Sequence, residues 1–204
     1  MPFGTGNDFT KVMGFAKDVE GAADTILNGT VKNADAAEVN GRPFINVAGL
    51  GFDVATLIAT EKYKAKYNGM FPYILGIMDA LSHLKTMPLT IEHDGVTEKC
   101  DSIIMSVGNG QYIGGGMRVA PEAEMDDGMF DVVVVRKVPR MCIPFLLPLF
   151  MLGWHTKLGL ARVMRAKRVS LRAKGMTLNV DGKLVTADHA DYELLPGAIR
   201  MMRP

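Results

Sequence analysis

Three short segments carry residue types that do chemistry, and each also has a plain structural reading. The first is Gly4-Thr5-Gly6-Asn7-Asp8. Glycines admit positive φ and let a phosphate approach the backbone, while free N–H groups at the start of the next helix favour anions. The Thr5 hydroxyl can bond a phosphate oxygen, and Asp8 can reach a metal ion or order water around one. The plain reading is a turn with an N-cap. The second segment, Gly108–Asp131, holds Gly114-Gly115-Gly116, which requires a close backbone approach or a loop. Beyond it Glu124, Asp126, Asp127 and Asp131 crowd four carboxylates into eight residues. Oxygen donors at this density suit Mg²⁺ or Ca²⁺, with carbonyls and water completing the shell. The alternative is a solvated acidic turn, with Asp127-Gly128 reversing the chain. The third segment is Asn179-Val180-Asp181-Gly182-Lys183, which by itself reads as a tight turn between two strands.

These segments sit in a chain of ordinary globular composition. Its 204 residues favour one domain, or one and a part. The formal net charge of +1 gives no nucleic-acid footprint, which shows as a strongly basic domain. Cys100 and Cys142 are far apart with no metal spacing, so both read as small hydrophobes in a reducing compartment. The four histidines likewise have no ligand spacing. The opening residues have neither a basic region nor an apolar run, so no signal peptide is expected. The most apolar stretch, Met141–Trp154, is about 14 residues long and contains Pro144 and Pro148. A membrane span needs roughly 20. Basic residues flank it, with Arg136, Lys137 and Arg140 before it and Lys157, Arg162 and Arg165 after it. That arrangement suits a transient contact with an anionic membrane surface. A helix buried on a sheet, with solvated basic neighbours, is the alternative; exposed Phe145, Leu149 and Trp154 would mark the membrane reading.

The elements that must position these residues follow from periodicity and turn chemistry. Phe9, Val12, Met13 and Ala16 recur at helical spacing behind Asn7-Asp8, and a second helix is expected over 18–27 with Asn28-Gly29 as its stop. From Thr30 the pattern turns to strands. Asn40-Gly41 separates Val31–Val39 from Pro43–Leu50, and Asp94-Gly95 separates Leu89–His93 from Val96–Cys100, as in two-residue hairpins. Helices are expected over 54–67 and 72–84, and one or two more over 139–164. Further strands are expected at 102–107, 129–138, 168–173, 176–180, 192–195 and 198–202. Strands joined by short loops favour an antiparallel sandwich or barrel-like sheet with helical insertions.

The three segments, in this order and wording, resemble the diacylglycerol kinase catalytic family, in the bacterial lipid kinase branch that is also similar to sphingosine kinases. The family's P-x-G-T-x-N-D-F is matched by Pro2–Phe9, and its N-x-x-G-x-G-F-D by Asn46–Asp53. Its glycine stretch and P-x-A-x-x-D-D-G are matched by Gly114–Gly116 and Pro121–Gly128. Its D-G-E turn is matched by Asp181-Gly182-Lys183, followed by Pro196-Gly197-Ala198.

The resemblance implies an α/β nucleotide domain, with a G-G-D-G-T loop for ATP, followed by a β-sandwich that receives the lipid. No GGDGT occurs in this sequence. Residues 1–29 are therefore expected to be a remnant of the α/β domain, and residues 30–204 the β-sandwich domain. By the same resemblance Gly4, Thr5, Gly6 and Asp8 face ATP, while Glu124, the Asp127 carboxylate and the Met129 carbonyl hold Mg²⁺. Lys183 stands at the position of the family's glutamate base, with Asp181 beside it. Lysine is protonated near neutral pH and acts as a point charge for phosphate rather than as a base. The implied reaction moves the γ-phosphate of ATP to the hydroxyl of diacylglycerol or a similar lipid, in a cytoplasmic protein peripheral at the membrane. A non-catalytic lipid-binding module is the competing reading, and an NAD kinase-like activity a third. An exposed sheet edge left by an absent domain would pair with a second copy, giving a homodimer.

Overall fold

The computed structural model describes residues 7–69 and 71–204, and for residues 140, 143 and 144 the backbone alone. Gly4, Thr5 and Gly6 lie outside the described residues. Two helices come first, α1 (Asp8–Met13) and α2 (Val19–Asn28). Asp18 caps α2 by accepting the Gly21 N–H, and Gly29 ends it, as expected. Strands β1 (Thr30–Val39), β2 (Arg42–Phe44) and β3 (Val47–Gly51) lead into helices α3 (Phe52–Lys64) and α4 (Phe71–Ser82). Then come β4 (Met87–His93), β5 (Val96–Gly108) and β6 (Phe130–Arg136). A 3-10 turn (Arg140–Cys142), α5 (Ile143–Leu152) and α6 (Trp154–Lys157) precede β7 (Arg162–Ala166), β8 (Arg168–Val180) and β9 (Lys183–Arg203). Every strand pairing is antiparallel. The hairpins at Asn40-Gly41, Asp94-Gly95 and Asp181-Gly182 have both central residues at positive φ, which matches strand twist and favours Asn/Asp followed by Gly.

The strand order is β2-β1-β9-β8-β3-β5-β6-β7, and β4 also lies between β5 and β8. β3 pairs with the second half of β5 and of β8, while β4 pairs with the first half of each. The two short strands are thus collinear and share one slot. The chain leaves that slot at Gly51, builds α3 and α4, and re-enters it at Met87. Register irregularities at Ser102/Ile104 and Arg172/Met176 bend the two long flanking strands where β3 gives way to β4.

Bending brings the ends of the sheet face to face. Phe44 of β2 stacks on Phe130 of β6 with ring centres 6.3 Å apart, and Tyr192 of β9 meets both edge-on at 6.2 and 6.5 Å. The result is a β-sandwich with one core between its layers. Along β6, Phe130, Val132 and Val134 enter that core, whereas Val133 and Val135 face a second core beneath the helices. There Phe52 of α3, Ala80 of α4 and Phe150 of α5 cover the outer face of the sheet.

Two expectations need correction. Residues 139–164 do not remain helical to the end, because Arg162–Ala166 pairs with β6 as an edge strand. Its alternation, with only Met164 and Ala166 buried, is strand periodicity. Pro196-Gly197 also fails to divide the last strand, and β9 runs unbroken for 21 residues. The pair sits at a bulge opposite Ala34–Ala36, where a proline without an N–H breaks no ladder bond.

Gly51 has φ +100, and a Cβ there would collide with the Ile103 carbonyl. Gly175 has φ +62 and open space around it. Gly51→Ala is therefore expected to lower stability by roughly 2–4 kcal/mol in urea unfolding, against roughly 1–2 kcal/mol for Gly175→Ala, where backbone strain acts without a clash. Equal losses would mean that the break between β3 and β4 is not sterically enforced.

Candidate active site

The beginning of the chain and the glycine stretch meet. Asp8 opens α1, and its Oδ2 accepts the Gly115 N–H at 2.7 Å while its Oδ1 pairs with Lys11 Nζ at 3.3 Å. Lys11 Nζ also donates to the Gly115 carbonyl at 3.2 Å and lies 5.8 Å from the centre of the Tyr112 ring. Arg118 approaches the same ring at 6.0 Å and is held by Gln111 Oε1 and the Pro121 carbonyl. Gly114, Gly115 and Gly116 have φ of 65, 89 and 136°, and at 114 a side chain would press on the Tyr73 hydroxyl. Burial and the Asp8 charge both push the Tyr73 phenol pKa up. The glycine stretch is thus a close backbone approach that latches the first helix. Sequence reasoning missed Lys11, whose only signal was its place one turn after Asp8.

The Asp181-Gly182-Lys183 turn is anchored from below. The Asp181 carboxylate accepts the N–H groups of Ile45 at 2.6 Å, Asn46 at 3.2 Å and Val47 at 3.0 Å. Asn179 Oδ1 accepts the Gly182 N–H at 2.8 Å. Both Asp181 oxygens are therefore engaged by backbone donors, and the residue positions the turn. Lys183 is exposed and makes no ion pair among the described residues. Asn46 extends the anchor, since its carbonyl accepts the N–H groups of Asn109 and Gly110 and its side chain donates to the Tyr112 carbonyl.

The acidic loop is organised by a residue that sequence reasoning did not single out. Asp35, 3% exposed at the β1 bulge, accepts the Gly128 N–H at 2.9 Å and the Gly197 N–H at 2.7 Å. Its carbonyl accepts from Asn109 Nδ2. Within the loop, Asp127 accepts the Met129 N–H at 2.9 Å and pairs with Arg165, Asp126 pairs with Arg203, and Glu124 is exposed. Among the described residues no three acidic, histidine or cysteine side chains converge on a point that would hold a metal ion. A cation at the Asp127 carboxylate would have to displace Arg165 and draw its remaining ligands from carbonyls and water. Asp131 lies beneath this loop with Oδ2 buried and unpartnered. Burial raises its pKa to about 6, against the pull of Arg165 and with the push of Asp127, Glu122 and Glu124.

A small, wholly apolar cavity of about 20 Å³, room for little more than one water, lies between the outer sheet face and α5. Phe52, Ile103, Ile104, Met117, Leu147 and Phe150 are among its walls. Next to it α5 and α6 present Phe145 and Trp154 to solvent, 78% and 53% exposed, while Leu149 is half-buried. Among the described residues no helix is long and apolar enough to cross a membrane.

The model of the YegS C-terminal NAD kinase beta sandwich-like domain matches residues 46–203, and that of the diacylglycerol kinase catalytic domain matches residues 1–39. The chain belongs to this diacylglycerol kinase-like family. Diacylglycerol kinases of Mycobacterium tuberculosis and Bacillus subtilis are 28% and 31% identical to it, over 100% and 90% of this chain. It spans 68% and 61% of their lengths. A crystal structure of a candidate diacylglycerol kinase from Bacillus anthracis superposes with a TM-score of 0.77 at 26% identity, covering 100% of this chain and 67% of that one. The family's sandwich is the layered sheet described above.

Because the folded Asp131 pKa lies above the ordinary 3.8, the folded state holds this proton more tightly than the unfolded chain. Its favourable contribution is full below about 3.8 and is lost as pH rises through about 6. Asp131→Asn is expected to raise the Tm at pH 7.5, corresponding to about 1–2 kcal/mol, with the gain vanishing near pH 4. A gain that does not change with pH would rule out the buried charge as its cause.

Proposed function

We propose that this chain is the lipid-receiving part of a kinase that transfers the γ-phosphate of ATP to a hydroxyl of diacylglycerol or a similar lipid. The observation that carries the reading is the exposure of Phe145 and Trp154 on α5 and α6, between basic residues. An exposed apolar surface with basic flanks fits transient contact with an anionic membrane, from which the lipid would be drawn. The family's diacylglycerol kinase members support the same substrate class.

ATP would supply the transferred phosphoryl group. Catalysis of such transfer rests mainly on positioning and charge stabilisation. In this chain Asp8 would face the phosphate side, held in place by the Gly115 amide, while Lys11 and Arg118 contribute positive charge around Tyr112. Lys183 would meet phosphate as a point charge from the anchored turn. Thr5 with Gly4 and Gly6 would complete the nucleotide-facing loop. Mg²⁺, if used, would be drawn to the acidic loop by its net negative charge.

The exposed Lys183 at the glutamate position, with Asp181 committed to backbone donors, favours a second reading: a lipid-binding module without turnover. The two readings separate in one assay. Phosphate transfer from ATP to diacylglycerol is measured in anionic vesicles, for this chain and for a form extended at its N-terminus by a GGDGT-bearing segment. Transfer by the extended form, reduced at least tenfold by Asp8→Asn, is expected. Vesicle binding without transfer by either form, including with Lys183→Glu, would leave the module reading. Neither binding nor transfer would overturn both.

A further inference from the structure

Helix α4 turns Phe71, Ile74 and Met78 to solvent, while Ile77 and Ala80 pack into the core beneath the helices. Tyr73 lies one turn before Ile77 and is half-buried. Its ring reaches the glycine stretch, with the hydroxyl 3.4 Å from the place a Cβ on Gly114 would take. The next residue, Gly115, donates its N–H to Asp8 Oδ2 and accepts from Lys11 Nζ through its carbonyl. The phenol therefore meets the glycine stretch one residue from the latch that holds α1. The Asp8 charge is felt there and adds to burial in raising the phenol pKa, so the O–H stays protonated.

The other polar groups of this region are already engaged. Asp8 and Lys11 form the latch, and Arg118 is held by Gln111 and the Pro121 carbonyl. The Tyr73 hydroxyl makes no hydrogen bond among the described residues, which leaves its donor for a ligand. A phosphoryl group brought near the Asp8 carboxylate meets repulsion, and donors on its flank must offset it. A phenol supplies such a donor without the desolvation cost of another cation. In the transfer, negative charge is spread over the phosphoryl oxygens, and donors fixed in place beforehand stabilise it best. Tyr73 is fixed in this sense. α4 sets its backbone, and Gly114, at φ +65 and without a side chain, leaves the hydroxyl uncovered.

We propose that Tyr73 is a catalytic residue of the transfer, its O–H donating a hydrogen bond to an oxygen of the phosphoryl group as it passes from ATP to the lipid alcohol. The phenol keeps its proton throughout and takes no part in deprotonating the alcohol. This inference rests on the kinase reading and adds to it a donor from the α3–α4 pair, which thereby supplies part of the phosphate-facing end.

The test is steady-state transfer from ATP to diacylglycerol in anionic vesicles by the form extended with a GGDGT-bearing segment. Tyr73→Phe keeps the ring and removes the hydroxyl. It is expected to lower kcat about thirtyfold, the size of one hydrogen bond to a charged group, with KM for ATP and lipid within about twofold and an unchanged Tm. Difluorotyrosine in place of Tyr73 ionises at lower pH. It is expected to keep kcat near wild type in mildly acidic buffer, with a decline toward alkaline pH that starts earlier than in wild type and is absent from Tyr73→Phe. A side chain that only packs would not move the pH profile. If Tyr73→Phe keeps the wild-type kcat while Asp8→Asn reduces transfer, or if its loss lies in KM or Tm alone, the role of Tyr73 is overturned and the kinase reading stands. Should Tyr73→Phe not fold, the fluorinated protein decides, and a pH profile matching wild type overturns the role. No transfer by the extended wild type overturns the kinase reading and this inference with it.

Discussion

Everything in this molecule follows from one slot between two long strands. β5 and β8 are each 13 residues long, and the space between them is filled by β3 and β4 laid end to end. Neither short strand reaches the full length, so the chain must leave the sheet midway and come back. Gly51 makes the exit possible, because its positive φ and missing side chain let the backbone turn directly against the Ile103 carbonyl. The excursion is the α3–α4 pair, packed closely enough that a Cβ on Gly76 would run into Thr60. Since the excursion starts from the outer face of the sheet, it can only return over that face. The second core and the apolar cavity both exist because two helices are folded onto a sheet surface that would otherwise be solvated.

A second theme is the use of carboxylates as backbone receptors. Asp8 accepts one amide of the glycine stretch, Asp35 accepts two from separate loops, and Asp181 accepts three from the chain entering β3. Loops that turn sharply expose N–H groups without secondary-structure partners, and an anionic acceptor satisfies several of them at once. The four-motif surface is therefore tied together by local electrostatics: Asp35 links the acidic loop to the Pro196-Gly197 bulge, and Asn46 and Asn109 link that region to the anchored turn.

What the sequence displayed most clearly was short-range. Three Asx-Gly turns and the Gly29 stop rest on φ preferences and hydrogen bonds spanning a few residues, and each was legible. The strands were located but cut too short, because bulges at Ser102, Arg172 and Pro196 look like endings in sequence while the ladder continues through them. β7 was hidden in a basic segment after apolar helices, since its strand character depends on pairing with β6. The site was legible as a list of motifs but not as a structure. That Asp8 would bind Gly115, or that Asp35 would hold the acidic loop, depends on contacts across 107 and 93 residues, which no local pattern encodes.

The commitment of Asp181 changes how the substitution at Lys183 should be understood. In a turn whose carboxylate already satisfies three amides, the neighbouring side chain is the part free to act on a ligand. A lysine there adds a positive charge to a surface that already carries Lys11 and Arg118, and it removes a group able to take a proton. Phosphoryl transfer through a loose transition state gains from positive charge on the phosphoryl oxygens and from alignment, and it draws little on early deprotonation of the alcohol. Under the proposed kinase reading, a cation at the position of the family's glutamate would therefore exchange one contribution for another.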